Sequence, residues 1–543
     1  MSTACIPTPD DRQFTLFQAS PASSPPSHHL TATSSGRHFR QGNAKAIFLG
    51  MTPLEDHLRQ ASVVAPFIVA DLLDAQDWTP FEERYASTGR APYAPRAMLG
   101  LILYGIMQGI SSLRALERLA RVDLGCMWVT GGIAPDHANI GRFICLHEQI
   151  MAQDFFEALT RTILTRTATS TIRLAGDGTV IEAACSHYRL LKEDAVRARV
   201  SEAQARLQQA PPEQQGKAQQ QLDKALDCEQ HLDARRAARQ RGGKRLDTVR
   251  VSPTEPEAAI QKQKRGRGFA PAYTPSVLAN EARIIVAHAL DPTSETRVIG
   301  ELLDQSERVA SVVEREILLD TGYFNDEVIE AALARDVSLL CPPKPSTVTS
   351  KAGRLYHKNQ FIYDAEQDIY SCPAGQHLQR ISHIQTSARS REHWVYACDT
   401  SAACPQRTAC TRSARGRRIK RYPEDEARLA LQAVMTHPNA QAAFRQRKAM
   451  VEPVFSALRQ QQGLSRFRRR GLVGVKREFA LHALAYNLTR AVALSLYCFF
   501  MNSLAEVSGF ILSNTKKNRN YPDERHRFGP SSKSTNTYFA MSH

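Results

Sequence analysis

The stretch "TIRLAGDGTVIEAAC", residues 171–185, is where the chain changes its hydrophobic period. Upstream, apolar residues recur every three or four positions, as on a helix face. Here Ile172, Leu174 and Ala175 lead into Asp177 and Gly178, and Val180 and Ile181 follow. That pattern reads as strand, tight turn, strand. An acid at the end of such a strand points into the crevice where α/β sheets bind their ligands.

Working outward, "RAMLGLILYGIMQGISSLRALERLARVDLGCMWV" keeps the helical period, with serines placed to cap "LRALERLAR". We read residues 51–168 as a compact helical domain with helix-turn-helix character. Residues 169–345 read as the first part of an α/β core with a mixed sheet and flanking helices. A polar helical insertion at about 188–245 interrupts it, broken at Pro211–Pro212 into a hairpin. "EARIIVAHAL", "EREILLD" and "VSLLCPP" read as further strands, and "NDEVIEAALARD" as a helix capped by Asn325. Residues 346–422 read as a loop-rich, basic, Cys-containing insert. Residues 423–512 read as the helical end of the core. Residues 1–50 and 513–543 are polar or rich in Ser and Pro, and are expected to be disordered.

The chain has 543 residues, 70 Lys and Arg against 54 Asp and Glu, and a formal charge of +16. Such an excess favours a polyanionic partner, nucleic acid before membrane. Eleven cysteines in this length exclude a disulfide scaffold, and most stand singly, as in a reducing cytoplasm. The apolar run at 491–512 contains Asn502 and Glu506, and reads as a core helix rather than a membrane span.

Three acids stand out by position. Asp177 ends a buried strand between two glycines. Asp320 ends "REILLD", just before "TGYF". Glu452 lies in "RQRKAMVEPVFSALRQQQGLSRFRRRG", a basic helix whose apolar face carries Val451, Val454, Phe455 and Leu458. Three carboxylates suit Mg²⁺ or Mn²⁺, hard cations that prefer oxygen ligands. Two such ions can activate a water and stabilise the leaving oxygen of a phosphodiester. Each acid alone also fits a duller role: a turn residue in "GDGT", a turn starter before Gly322, an ion pair with Arg445 or Arg459.

The pieces "LAGDGTVIEAACS", "ILLDTGYFNDEVIEAAL", "YAPRAMLGLILYGIMQGISSLRALERLARVD" and "RKAMVEPVFSALRQQQGLSRFRRRGL" resemble bacterial insertion-sequence transposases of the DDE class. The resemblance runs over roughly residues 52–500 and is strongest to insertion-sequence family eleven-eighty-two. It implies an RNase H-like core and metal-dependent cleavage and joining of the element's DNA ends. Asp177, Asp320 and Glu452 would be the catalytic triad, holding two Mg²⁺ or Mn²⁺ ions. Arg445, Arg447, Lys448, Arg459, Arg466, Arg468, Arg469 and Arg470 would contact phosphates. The implied partners are double-stranded terminal repeats and target DNA, bound by a homodimer in the bacterial cytoplasm at the nucleoid. Tyr486 and Asn487 match the family's "YNL" helix, where packing is the expected role. The chain departs from the family's usual runs at "TEPEAA" (254–259) and "YTPSVLANEARII" (273–285). The rival reading is a decayed or repurposed copy that binds DNA without cutting it.

Cys372, Cys398, Cys404 and Cys410 cluster in the insert. Four thiolates suit a tetrahedral structural Zn²⁺, although the spacings are wider than a CxxC pair. Reduced thiols in a loop-rich insert are the alternative.

Overall fold

The computed structural model describes residues 38–263, 268–310, 315–343, 355–356, 358–386, 391–399 and 403–517. Disorder expected before residue 38 and after 517 lies outside the described residues. By compactness the chain divides into residues 22–492 and a second unit that includes residues 493–543. The account below concerns the first; in the second, residues 493–517 continue the last helix.

A two-residue ladder, β1 (Phe48–Leu49) with β2 (Thr52–Pro53), precedes a helical region. That region comprises α1 (Leu54–Gln60), α2 (Ala65–Asp74), α3 (Thr79–Glu82), α4 (Pro95–Met107), α5 (Leu113–Val122), α6 (Leu124–Thr130), α7 (His137–Leu146), α8 (Glu148–Ala152) and α9 (Asp154–Arg166). Helix α4 is buried almost all round, and α2, α5 and α6 pack on it. Ser112 stands at the N-cap of α5 as its sequence suggests, yet its hydroxyl makes no cap bond. Asp123 and Asp136 instead cap α6 and α7, accepting from the amides of Cys126 and Asn139.

The principal sheet contains β3 (Arg173–Gly178), β4 (Ile181–Glu182), β5 (Ala259–Lys262), β6 (Phe269–Asn280), β7 (Ile285–Asp291), β8 (Glu316–Leu318) and β9 (Ser338–Leu340). Its central order is β7-β6-β3-β8-β9. Strands β7, β6 and β3 pair antiparallel, whereas β3, β8 and β9 run parallel. The longest strand, β6, carries Pro271 and Pro275 in its interior, which argues against a central strand in sequence terms. The prolines still accept: their carbonyls take hydrogen bonds from the amides of Ala183 and Thr179 at 2.9 Å each. Only the donor side of the ladder is lost at those points.

Between β4 and β5 lie α10 (Glu193–Gln209) and α11 (Pro212–Arg241), packed together through Val200, Ala203, Leu222 and Ala225. They turn at Pro211 and Pro212, as the sequence break indicates. Helix α12 (Ile299–Val309) packs on β7, and α13 (Asp326–Leu333) follows β8. Asn325 caps α13 through the amide of Val328 at 2.9 Å.

The insert read as loop-rich differs from that expectation. Its described residues form an antiparallel meander in chain order: β10 (Ile362–Asp364), β11 (Ile369–Ser371), β12 (His377–Ile384), β13 (His393–Ala397) and β14 (Arg418–Arg421). A short helix, α14 (Arg407–Cys410), precedes β14. The strands are short, and β12 is exposed at nearly every position. Its periodicity therefore carries no burial signal. A small core of Phe361, Tyr370, Leu378, Tyr396 and Ile419 holds the meander together.

Helices α15 (Asp425–Thr436), α16 (Pro438–Arg445), α17 (Arg447–Gln460) and α18 (Leu472–Lys517) close the chain. Among the described residues no helix is long and apolar enough to cross a membrane.

Candidate active site

The parallel register of β3 and β8 pairs Ala175 with Leu318. Asp177 and Asp320 each lie two residues beyond that pair, so both aspartates stand at the same edge of the sheet. The glycines beside Asp177 are there for close packing, not for an unusual backbone angle. A methyl at Gly176 would come within 2.4 Å of Leu319 and 2.9 Å of Leu278. A methyl at Gly178 would come within 2.4 Å of Glu295 Oε2. Asp177 accepts from the Gly178 amide at 3.0 Å. Asp320 accepts from the Gly322 amide at 2.8 Å, starting a one-turn helix at Thr321–Tyr323.

Between the two aspartates lies the guanidinium of Arg447, the first residue of α17. Its Nη2 is 3.1 Å from Asp177 Oδ1 and 3.9 Å from Asp320 Oδ2. Its Nε and Nη2 also donate to the Gly176 carbonyl, at 3.1 and 2.9 Å. The Arg447 side chain is 6% exposed, against 23% for Asp177 and 42% for Asp320. A buried cation held by a carbonyl and two carboxylates is spent on the protein and is not a surface phosphate contact.

Helix α17 packs on β3 and β6 through Met450, Val451, Val454, Phe455 and Leu458. Pro453 interrupts its ladder and deprives the Ala449 carbonyl of a donor. Arg283 fills that role, its Nε donating to Ala449 at 3.0 Å. Glu452, just before the proline, is exposed. It lies five residues after Arg447, and Arg459 follows seven residues later. Arg459 donates to Thr179 Oγ1 and to the Val180 carbonyl, the latter at 2.8 Å. The helix thus runs along the end of β3 with Glu452 between these two anchors. Among the described residues, no group of three or more His, Cys, Asp or Glu side chains is already arranged to hold a metal ion.

The other cations divide by exposure. Arg445, Lys448, Arg468 and Arg470 are exposed, and Arg469 is half-buried. Arg466 is exposed too, but its guanidinium donates to the carbonyls of Ala183, Ala184 and Cys185 at 2.9–3.0 Å. Buried Glu478 accepts the backbone amides of Arg468 and Arg469, which shapes the loop and leaves their side chains uncommitted to it.

Two groups at this edge were missed by sequence reasoning. Glu295 stands in the connection after β7, where "DPTSETR" carries no strand or helix signal. Tyr323 was read only as part of "TGYF". It is buried, and its hydroxyl has no hydrogen-bond partner, nor has that of buried Ser276 on β6. Burial first, then the charges of Glu295, Asp177 and Asp320, push the Tyr323 hydroxyl well above its ordinary pKa.

In the meander, Cys372, Cys398, Cys404 and Cys410 all line one small pocket of about 30 Å³. Cys372 Sγ accepts the amides of Ala374 and Gln376 at 3.3 and 3.2 Å, in a turn that puts Gly375 at a φ of 74°. Burial raises the pKa of the Cys410 thiol; the Arg417 guanidinium opposes this, and the other three sulfurs add to it.

Two segments of the chain match known families. Residues 371–492, which include Glu452 and the four cysteines, match the family described as Transposase DDE domain. Residues 54–145 match the family described as Transposase domain. These matches support a transposase of the DDE class. Asp177 and Asp320 lie outside both segments. No curated protein matches the sequence at a significant level. Among solved structures, one similar chain is a piggyBac transposase in a synaptic complex with hairpin DNA. It is 8% identical, with a TM-score of 0.30, over 80% of this chain and 76% of that one. A likeness so distant carries no argument about fold or chemistry.

Proposed function

We propose that this chain is an insertion-sequence transposase of the DDE class with an RNase H-like core, cutting its element's ends and joining them to target DNA. The observation that carries this reading is the convergence of Asp177 and Asp320 on one sheet edge, beneath the basic helix that bears Glu452. The central strand order, antiparallel on one side of β3 and parallel on the other, supports the core assignment.

The residues fit a divalent cation of the Mg²⁺ or Mn²⁺ type. The donors are carboxylate oxygens, two buried hydroxyls beside them lack partners, and a guanidinium already bridges the aspartates. Asp177, Asp320 and Glu452 would hold the cations. When bound, a pair of such ions supplies an activated water and a stabilised leaving oxygen. The protein's own part is placement. Arg447 fixes Asp177 against the end of β3, and Arg459 fixes α17 against Thr179 and Val180. The exposed cations Arg445, Lys448, Arg466, Arg468 and Arg470 would hold the DNA backbone near Glu452, as would half-buried Arg469. The helical region at 54–166 would recognise the terminal repeats in a homodimer on DNA. Incubating the protein with a labelled duplex carrying the element's ends, target DNA and Mg²⁺ tests the reading. Nicked ends and joined products support it. Binding without either product would favour the DNA-binding rival.

Salt dependence separates the cations. Each phosphate neutralised adds about 0.9 to the slope of log affinity against log salt. Lys448→Ala and Arg470→Ala should each flatten that slope by about 0.9. Arg447→Met should leave it unchanged, because that guanidinium faces the protein. Binding isotherms between 50 and 200 mM salt would measure this; equal flattening by all three variants would refute it.

We also propose that the four cysteines hold a structural Zn²⁺. Their shared pocket and the two amides aimed at Cys372 Sγ support this. Protein purified without chelator should carry about one zinc per chain, and Cys398→Ser should reduce that content at least tenfold. A zinc-free wild type that keeps its full thermal midpoint would rule the site out.

A further inference from the structure

Glu295 belongs to no segment matched by either family, and the β7–α12 connection gives it no evident structural task. It stands at the N-cap of the one-turn helix Thr296–Val298, but its side chain makes no capping bond. The carboxylate instead faces the sheet edge. A methyl at Gly322 would sit 2.9 Å from Asp320 Oδ1 and 3.2 Å from Glu295 Oε1, so these two oxygens flank one methyl-sized gap. A methyl at Gly178, the residue after Asp177, would sit 2.4 Å from Glu295 Oε2. Both glycines beside the aspartates therefore make room for this one carboxylate.

Crowding carboxylates in this way costs free energy unless cations offset it. Arg447 supplies one positive charge against those of Asp177, Asp320 and Glu295, so the edge keeps a net negative charge of the size a divalent cation neutralises. A second observation is independent of the acids. Tyr323 and Ser276 are buried beside them with hydroxyls that find no partner. Buried polar groups are rarely left so without a ligand or water. We propose that Glu295 is a carboxylate ligand of the divalent cation bound beside Asp177 and Asp320. This rests on the metal-dependent reading above and adds a fourth acid to it.

The test measures cation binding to the full chain without DNA. Free Mn²⁺ is followed by electron paramagnetic resonance, and bound Tb³⁺ by luminescence sensitised through tyrosine, for which Tyr323 is the adjacent antenna. Glu295→Gln is expected to weaken Mn²⁺ binding at the aspartate edge at least about tenfold. Gly178→Ala, which keeps the charge but displaces the carboxylate, should weaken it in the same direction. In chelator, the thermal midpoint of Glu295→Gln should not fall, since removing one of several crowded acids relieves repulsion. If Glu295→Gln binds Mn²⁺ like the wild type while Asp177→Asn has lost the site, the metal reading stands and Glu295 is not a ligand. If the wild type binds no more Mn²⁺ than Asp177→Asn, the metal reading falls and this inference falls with it. A midpoint lowered in chelator, with metal affinity unchanged, would assign Glu295 a structural role and overturn the proposal.

Discussion

Glu452→Ala should lower cleavage of the element's ends by at least about 10³-fold, roughly 4 kcal/mol of transition-state stabilisation, with duplex affinity nearly unchanged. Both parts follow from its place on α17. The side chain is exposed and contributes nothing to the buried face, which is made by Met450, Val451, Val454, Phe455 and Leu458. Alanine is a good helix former, so stability should shift by no more than about 0.5 kcal/mol. DNA affinity rests on cations, and removing one negative charge beside them cannot weaken it. Single-turnover cleavage in Mg²⁺ and in Mn²⁺, with a parallel binding assay, reads the two effects separately. A variant that cleaves at the wild-type rate would remove Glu452 from the proposed triad.

The largest loss of stability should come from Asn487→Ala. Asn487 is fully buried on α18 and faces Ile285, the first residue of β7. Its Oδ1 accepts the Ile285 amide at 2.8 Å, and its Nδ2 donates to the Ile285 carbonyl at 2.8 Å and to Thr160 Oγ1 at 3.1 Å. The side chain thus stands in for one residue of a neighbouring strand. It does so where the β6–β7 register shifts between Leu278 and Ala279. Alanine would leave both Ile285 backbone groups buried and unpaired, at about 1–3 kcal/mol each. We expect about 3 kcal/mol of destabilisation and a fall of several degrees in thermal midpoint. Hydrogen exchange at the Ile285 amide should accelerate in step. Asn487→Asp keeps the acceptor but loses the donors, so it should lose less than alanine at the amide and still orphan the carbonyl. An unchanged midpoint for Asn487→Ala would show that water replaces the amide at no cost.

These two residues mark the boundary between local and tertiary information. Glu452 was legible because a lone acid among eight cations on an apolar-faced helix is a local anomaly. Asn487 was visible only as part of a "YNL" run, and nothing local connects it to Ile285, 202 positions away. The aspartates were legible for a third reason. Each ends a short apolar strand, and strand ends are written in composition and period.

The sequence by itself determined the mixed α/β character, the helical region before residue 166, the hairpin broken at Pro211 and Pro212, and the cap at Asn325. All of these depend on neighbours within a few positions, where propensity, capping and period act. Tertiary structure alone decided the pairing of Ala175 with Leu318, which sets the two aspartates side by side. It also decided the burial of Arg447 between them, the approach of Glu295 to Gly178 and Gly322, and the gathering of four cysteines into one pocket of a meander. The physical reason is common to all four. Register and packing are fixed by the sum of many weak contacts between segments distant in the chain, and no short stretch encodes which partner it will meet.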